Sequence, residues 1–136
     1  MADASPADDG GERGSAVVDF VLVSLLVVGL LLAILQVAVY AHVRNVVTAS
    51  AQEGARFAAN ADVDSAVGAA RTLEVVGRAT TDRTAAGLVC TSEEEADPSG
   101  MTLVVVRCSG AVPSLLSALG DLLPLEVTGR AVKEGA

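Results

Sequence analysis

The chain has 136 residues, a formal net charge of −8 and one lysine, Lys133, so it lacks the clustered cations that phosphate neutralisation needs, and nucleic acid is excluded as an expected partner. One histidine, His42, and two cysteines, Cys90 and Cys108, cannot complete a four-ligand zinc site without carboxylates or a second subunit, and there is no histidine-paired nucleophile, HExxH or phosphate loop. No catalytic residue, metal or cofactor is expected, and with Phe20, Tyr40 and Phe57 as its aromatics the chain must build any core from valine, leucine and alanine.

The first segment, Met1–Gly14, is polar and sets Asp3, Asp8, Asp9 and Glu12 against Arg13 alone. A secretory signal would carry a positive start and a shorter apolar stretch. From Phe20 to Ala41 come 22 residues without a formal charge, interrupted only by Ser24, Gly29 and Gln36. As a helix this run is about 33 Å long at about 1.5 Å per residue, enough for a hydrocarbon core of about 30 Å. The expectation is one transmembrane helix over residues 15–41. The short leader, the translocation of long domains regardless of charge, and the cysteines favour an N-terminus inside and a C-terminal domain outside the cell membrane.

The helical pattern continues past the membrane. Val43, Val46, Val47, Ser50, Gly54, Phe57 and Ala61 form a mostly small or apolar stripe without a proline, predicting one helix from about Ser15 to Asn60. His42 falls at the membrane boundary and reads as interfacial. The pairs Ala51/Ala55 and Gly54/Ala58 permit close helix packing, against the chain's own domain or, alternatively, against another subunit. Glu53 and Arg56 read as a local i, i+3 ion pair. Asp62 or Asp64 can cap a second helix over about 64–80, with Val67, Ala70, Leu73, Val76 and Ala79 facing inward.

A β-rich texture follows from Gly87. Strands are expected over about 87–92, 101–109 and 125–133, the first two separated by a solvated Glu93–Glu95 loop and the turn Asp97-Pro98-Ser99-Gly100. A turn centred on Ser99 sets Cys90 opposite Cys108, within reach of a cross-strand disulfide, with two buried thiols as the alternative. Pro113 is suited to open a short helical turn through Leu115, Leu116 and Leu119. The fold class is therefore α+β: a long N-terminal membrane helix continuing into a small domain, residues 42–136, with a second helix on a small antiparallel sheet.

Gly14, Ser15 and Asp19, standing directly before the apolar run, give the segment Arg13–Phe20 its character. It resembles the processing site of type IV prepilin-like proteins, and more closely that of the TadE-like pseudopilins of tight-adherence (Tad/Flp) pilus systems. Ala49–Ala59, containing Glu53-Gly54-Ala55-Arg56, is similar to the segment that follows the span in that family, and Leu122–Ala131 resembles its last strand. The resemblance implies a leader, residues 1–14, cut by a prepilin peptidase between Gly14 and Ser15, and Asp19 as the acid at the fifth mature position, where glutamate is commoner. It further implies that this acid neutralises the new amine during assembly with other pilins, pseudopilins and platform proteins, in a pilus or a related secretion machine. An acid in a first helical turn is also favoured by the helix dipole alone. The alternative function is an uncut single-pass protein whose outer domain is a scaffold or binds a partner.

Overall fold

The computed structural model describes residues 9–112 and 123–135. Two compact units divide the chain, the first ending at Leu35 and the second beginning at Gln36. Helix α1, Asp9–Ala59, runs for 51 residues and contributes to both. Its described residues begin at Asp9, ahead of the expected start at about Ser15; no proline lies between, and Glu12 suits the positive end of the helix dipole.

In the first unit the apolar side chains are largely exposed among the described residues: Phe20 is 72% exposed and Leu26 is 71% exposed. The helix is long and apolar enough to cross a membrane once, with a mean hydropathy of 2.9 over its most apolar window. Such exposure is tolerable only where the surroundings are themselves apolar.

The second unit is built on a three-stranded antiparallel sheet in the order β1 (Leu88–Ala96), β2 (Thr102–Val112), β3 (Leu123–Val132). The register pairs Cys90 with Cys108 and Cys108 with Val127. Because side chains alternate along a strand, Leu88 and Cys90, Val106 and Cys108, Leu125 and Val127 share one face. They meet Val43, Val47, Ala51 and Ala55, which recur every fourth residue on α1, and Val76, to form the core. Ala58, Ala59 and Val104 form a smaller cluster beyond it.

A short 3-10 turn, Ser65–Val67, capped by the Asp64 side chain on the Ala66 N–H at 2.9 Å, leads into α2, Gly68–Ala79. The face that α2 buries carries Gly68, Thr72 and Val76, whereas Val67, Ala70 and Ala79 are exposed and Leu73 is half-buried. The expected inward stripe is thus rotated, because small residues set the approach to α1. A Cβ on Gly54 would lie 2.6 Å from the Gly68 carbonyl oxygen and 2.0 Å from Thr72 Oγ1. Thr72 Oγ1 donates back to the Gly68 carbonyl at 2.8 Å, so its hydroxyl is satisfied inside the contact.

A third short helix, α3 (Asp82–Ala86), was not expected; Thr81 caps it by accepting from the Thr84 N–H at 3.1 Å. The acidic run Glu93–Glu95 is strand, not a solvated loop. Its residues pair with Val105, Val104 and Leu103, and Glu95 forms an ion pair with Arg107. Pairing to a valine-rich partner outweighs the weak β preference of glutamate. The hairpin closes at Asp97–Gly100, where Gly100 takes φ +85° and its N–H donates to the Asp97 carbonyl at 2.8 Å. The expected leucine-rich turn at 113–119 lies outside the described residues.

A close backbone contact between α1 and the sheet lies at Gly129. A Cβ there would lie 2.3 Å from the Ala51 carbonyl oxygen, while a Cβ on Gly29 would meet nothing within 4 Å. Gly129→Ala should therefore lower stability by about 1–3 kcal/mol, the usual range for overpacking, with Gly29→Ala unchanged or slightly more stable. Thermal unfolding of the detergent-extracted protein, followed by circular dichroism, checks the contrast; equal midpoints for the two variants would refute the contact.

Candidate processing and assembly site

Gly14, Ser15 and Asp19 lie in the exposed early turns of α1. Ser15 and Asp19 are four residues apart and so share one side of the helix, about 6 Å along its axis. Among the described residues Asp19 takes part in no ion pair. The Gly14–Ser15 peptide is helical, so an endopeptidase that reads extended backbone has to unwind it first. The local sequence makes that inexpensive. Gly10, Gly11 and Gly14 each weaken a helix by about 1 kcal/mol relative to alanine, and nothing stands within 4 Å of a Cβ at Gly11 or Gly14 to hold the segment in place. Residues 9–14 span less than two turns, so few intrahelical hydrogen bonds are lost if the helix starts at Ser15 instead.

The small residues farther along α1 sit differently. Ala51, Ala55 and Ala58 are fully buried and Gly54 is buried with them, all inside their own domain, against α2 and the sheet. Glu53 does not form the expected pair with Arg56. It faces Arg71 of α2 at 3.9 Å, and Arg71 also contacts Glu74 at 3.5 Å and stands 5.2 Å over the Phe57 ring. The approach of α2 at Gly54 brings Arg71 to Glu53, whereas Arg56 stays on an exposed side of the last turn. His42 is exposed.

Cys90 and Cys108 are joined in a disulfide, with Cα atoms 4.1 Å apart across the β1–β2 pair. Cys108 is buried and Cys90 packs partly buried against the core. On the opposite face Glu95 holds the Arg107 guanidinium more firmly protonated than usual, first by the side-chain hydrogen bond and then by its charge.

Three contacts that fix the position of α1 were not visible in the sequence. The single lysine closes its C-terminal end: Lys133 Nζ donates to the carbonyls of Ala58 at 2.8 Å, Asn60 at 3.2 Å and Val63 at 2.5 Å. The Glu134 N–H donates to the Ala59 carbonyl at 2.8 Å, so the chain just after β3 satisfies groups that a helix end leaves unpaired. At the other end of β3 the Tyr40 hydroxyl donates to the Pro124 carbonyl at 2.8 Å. A lone lysine and a lone tyrosine carry no periodic signal by which these roles could be read.

An acid one turn after a Gly–Ser step stands ahead of an uncharged run, and the same helix goes on into a small-residue packing stripe. Residues 14–56 match the family model of TadE-like proteins. The match lies wholly within α1 and includes the Gly14–Asp19 constellation and most of the small-residue stripe. TadE-like proteins are structural, membrane-associated components of Tad pilus systems rather than enzymes. The resemblance of Leu122–Ala131 to the family's last strand falls outside the matched residues. Neither a curated protein nor a solved structure gives a significant match to this chain.

The cystine and the lysine cap are both directly measurable. Thiol labelling of the denatured, unreduced protein from its native membrane should be silent, and reduction should lower stability by about 3 kcal/mol for a closed segment of this size. Quantitative labelling would show that the bond does not form in the cell. Lys133→Met should lower stability by about 1–2 kcal/mol through the lost carbonyl contacts at the α1 terminus, with a fall in unfolding midpoint as the readout.

Proposed function

We propose that this protein is a membrane-anchored minor pseudopilin, a structural or assembly component of a Tad/Flp-type pilus or related secretion system. In this reading residues 1–14 are a cytoplasmic leader, residues 15–41 cross the cell membrane, and residues 42–136 form an extracytoplasmic domain. The observation that carries the reading is the constellation Gly14, Ser15 and Asp19 at the mouth of a 22-residue uncharged run, within the segment that matches the TadE-like family.

A prepilin peptidase hydrolyses the Gly14–Ser15 bond: water adds across it, Gly14 keeps a new carboxylate and Ser15 a new amine. Asp3, Asp8, Asp9, Glu12 and Arg13 leave with the leader. The amine of Ser15 then stands one helical turn from Asp19, close enough to pair within the chain or with the acid of a neighbouring, staggered subunit. Away from water that pairing matters far more than at a surface, because an unpaired charge in the membrane interior is heavily penalised. The glycine-weakened start of α1 supports the reading, since it gives the peptidase a segment that unwinds readily.

Intact-mass measurement of the protein extracted from its native host tests the first step, and the expected product begins at Ser15. Retention of residues 1–14 in a host with active peptidase would leave an uncut single-pass scaffold as the function. Gly14→Leu should block trimming without affecting membrane insertion. Asp19→Ala should be inserted and trimmed yet fail to co-purify with the other pilus components, while Asp19→Glu should assemble. Assembly of Asp19→Ala at the parental level would reduce the acid to a helix-end residue.

A further inference from the structure

An open apolar cleft of about 250 Å³ lies on the second unit, lined by Gln36, Val37, Tyr40, Leu123 and Pro124. We propose that this cleft takes membrane lipid acyl chain, so that the start of β3 is a lipid-contacting surface of the domain. The proposal rests on the reading of α1 as a membrane span.

The position of the cleft along α1 is the first argument. Gln36, Val37 and Tyr40 belong to the uncharged run that ends at Ala41, and Leu123 and Pro124 line the same cleft from β3. Whatever depth residues 36–40 occupy, the start of β3 shares it. Val37, beside the cleft, is 69% exposed among the described residues.

The second argument is how the polar groups here are disposed. Gln36 is turned inward, at 6% exposure. The Tyr40 hydroxyl is bonded to the Pro124 carbonyl at 2.8 Å, so one contact satisfies a side-chain donor and a backbone acceptor together. Among the described residues Pro124 lies on an edge strand that pairs only with β2, opposite Ala111. A proline there removes a backbone N–H that any other residue would carry. Hydrocarbon is the surrounding in which a spare donor is most costly, whereas water would satisfy it at no cost. Tyrosine is also the residue type suited to a boundary with an apolar body on one side and a polar handle on the other.

The chain has no tryptophan, so a single substitution gives an unambiguous reporter. The full-length Leu123→Trp protein is placed in phosphatidylcholine–phosphatidylglycerol vesicles, with and without phosphatidylcholine brominated near the ester end of its acyl chains. Leu26→Trp in the span and Thr128→Trp on the other face of β3 serve as references. Leu123→Trp should lose emission to the brominated lipid as Leu26→Trp does and resist aqueous acrylamide, while Thr128→Trp should show the reverse. Should Leu123→Trp not fold, the parent protein answers through Tyr40, its sole tyrosine, whose emission should likewise fall with brominated lipid and resist acrylamide. Emission at Leu123→Trp or Tyr40 that is quenched by acrylamide and not by lipid, while Leu26→Trp responds to lipid, overturns the cleft proposal and leaves the span intact. Loss of the lipid response at Leu26→Trp as well overturns the span reading and the cleft with it.

Discussion

The second unit depends on one close approach, backbone against backbone, between α1 at Ala51 and β3 at Gly129. With no room there for even a methyl group, the sheet is held at a single distance from the helix, and the every-fourth-residue stripe of Val43, Val47, Ala51 and Ala55 meets the strands at the height their side chains require. The same logic operates on the neighbouring side of α1, where Gly54 admits α2 to within a hydroxyl's reach of Thr72. A chain with few aromatics has to build its core this way. Small side chains contribute little buried area each, so cohesion comes from many short contacts at high packing density and from the Cys90–Cys108 bond.

Helix α1 serves two environments without a break in its hydrogen bonding. Up to Leu35 its apolar residues are largely exposed, and from Val43 onward one stripe, Val43, Val47, Ala51 and Ala55, faces the domain core. Along it residue size falls as polarity rises: leucine and valine dominate the part up to Leu35, while alanine and valine, interspersed with polar residues, make up the part that packs on the domain. Large flexible side chains suit a surrounding that adapts to them, and small ones suit a partner with a fixed shape.

Much of this was legible in the sequence because it is periodic or arithmetic. The uncharged run, the absence of proline and the small-residue stripe predicted a helix that continues out of the membrane segment, and the turn at Asp97–Gly100 fixed the strand register that pairs Cys90 with Cys108. The Gly14–Asp19 motif was legible as a family resemblance and lies inside the matched segment. What stayed hidden was decided by tertiary contact. The glutamates at 93–95 are poor strand formers alone and became strand through the valines opposite them. The buried face of α2 was set by Gly54 and Gly68, where shape counted and hydrophobicity did not. Arg71 drew Glu53 away from the local partner that helix spacing offered.

Order of synthesis gives a further meaning to the hydrogen bond that the Arg130 N–H donates to Gln52 Oε1, and to the Lys133–Ala58 contact. They join residues 78 and 75 positions apart in the chain, so the domain closes on contacts of long sequence separation, the kind that fold slowly. During translation α1 emerges first, with its packing stripe uncovered and its last carbonyls unpaired, and the strand that completes both is made long afterwards. The helix, long and apolar enough to cross a membrane, is thus complete before the strand that packs on it. The interval between those two events is when the bare alanine–glycine stripe is open to other helices, and the arrival of β3 ends it.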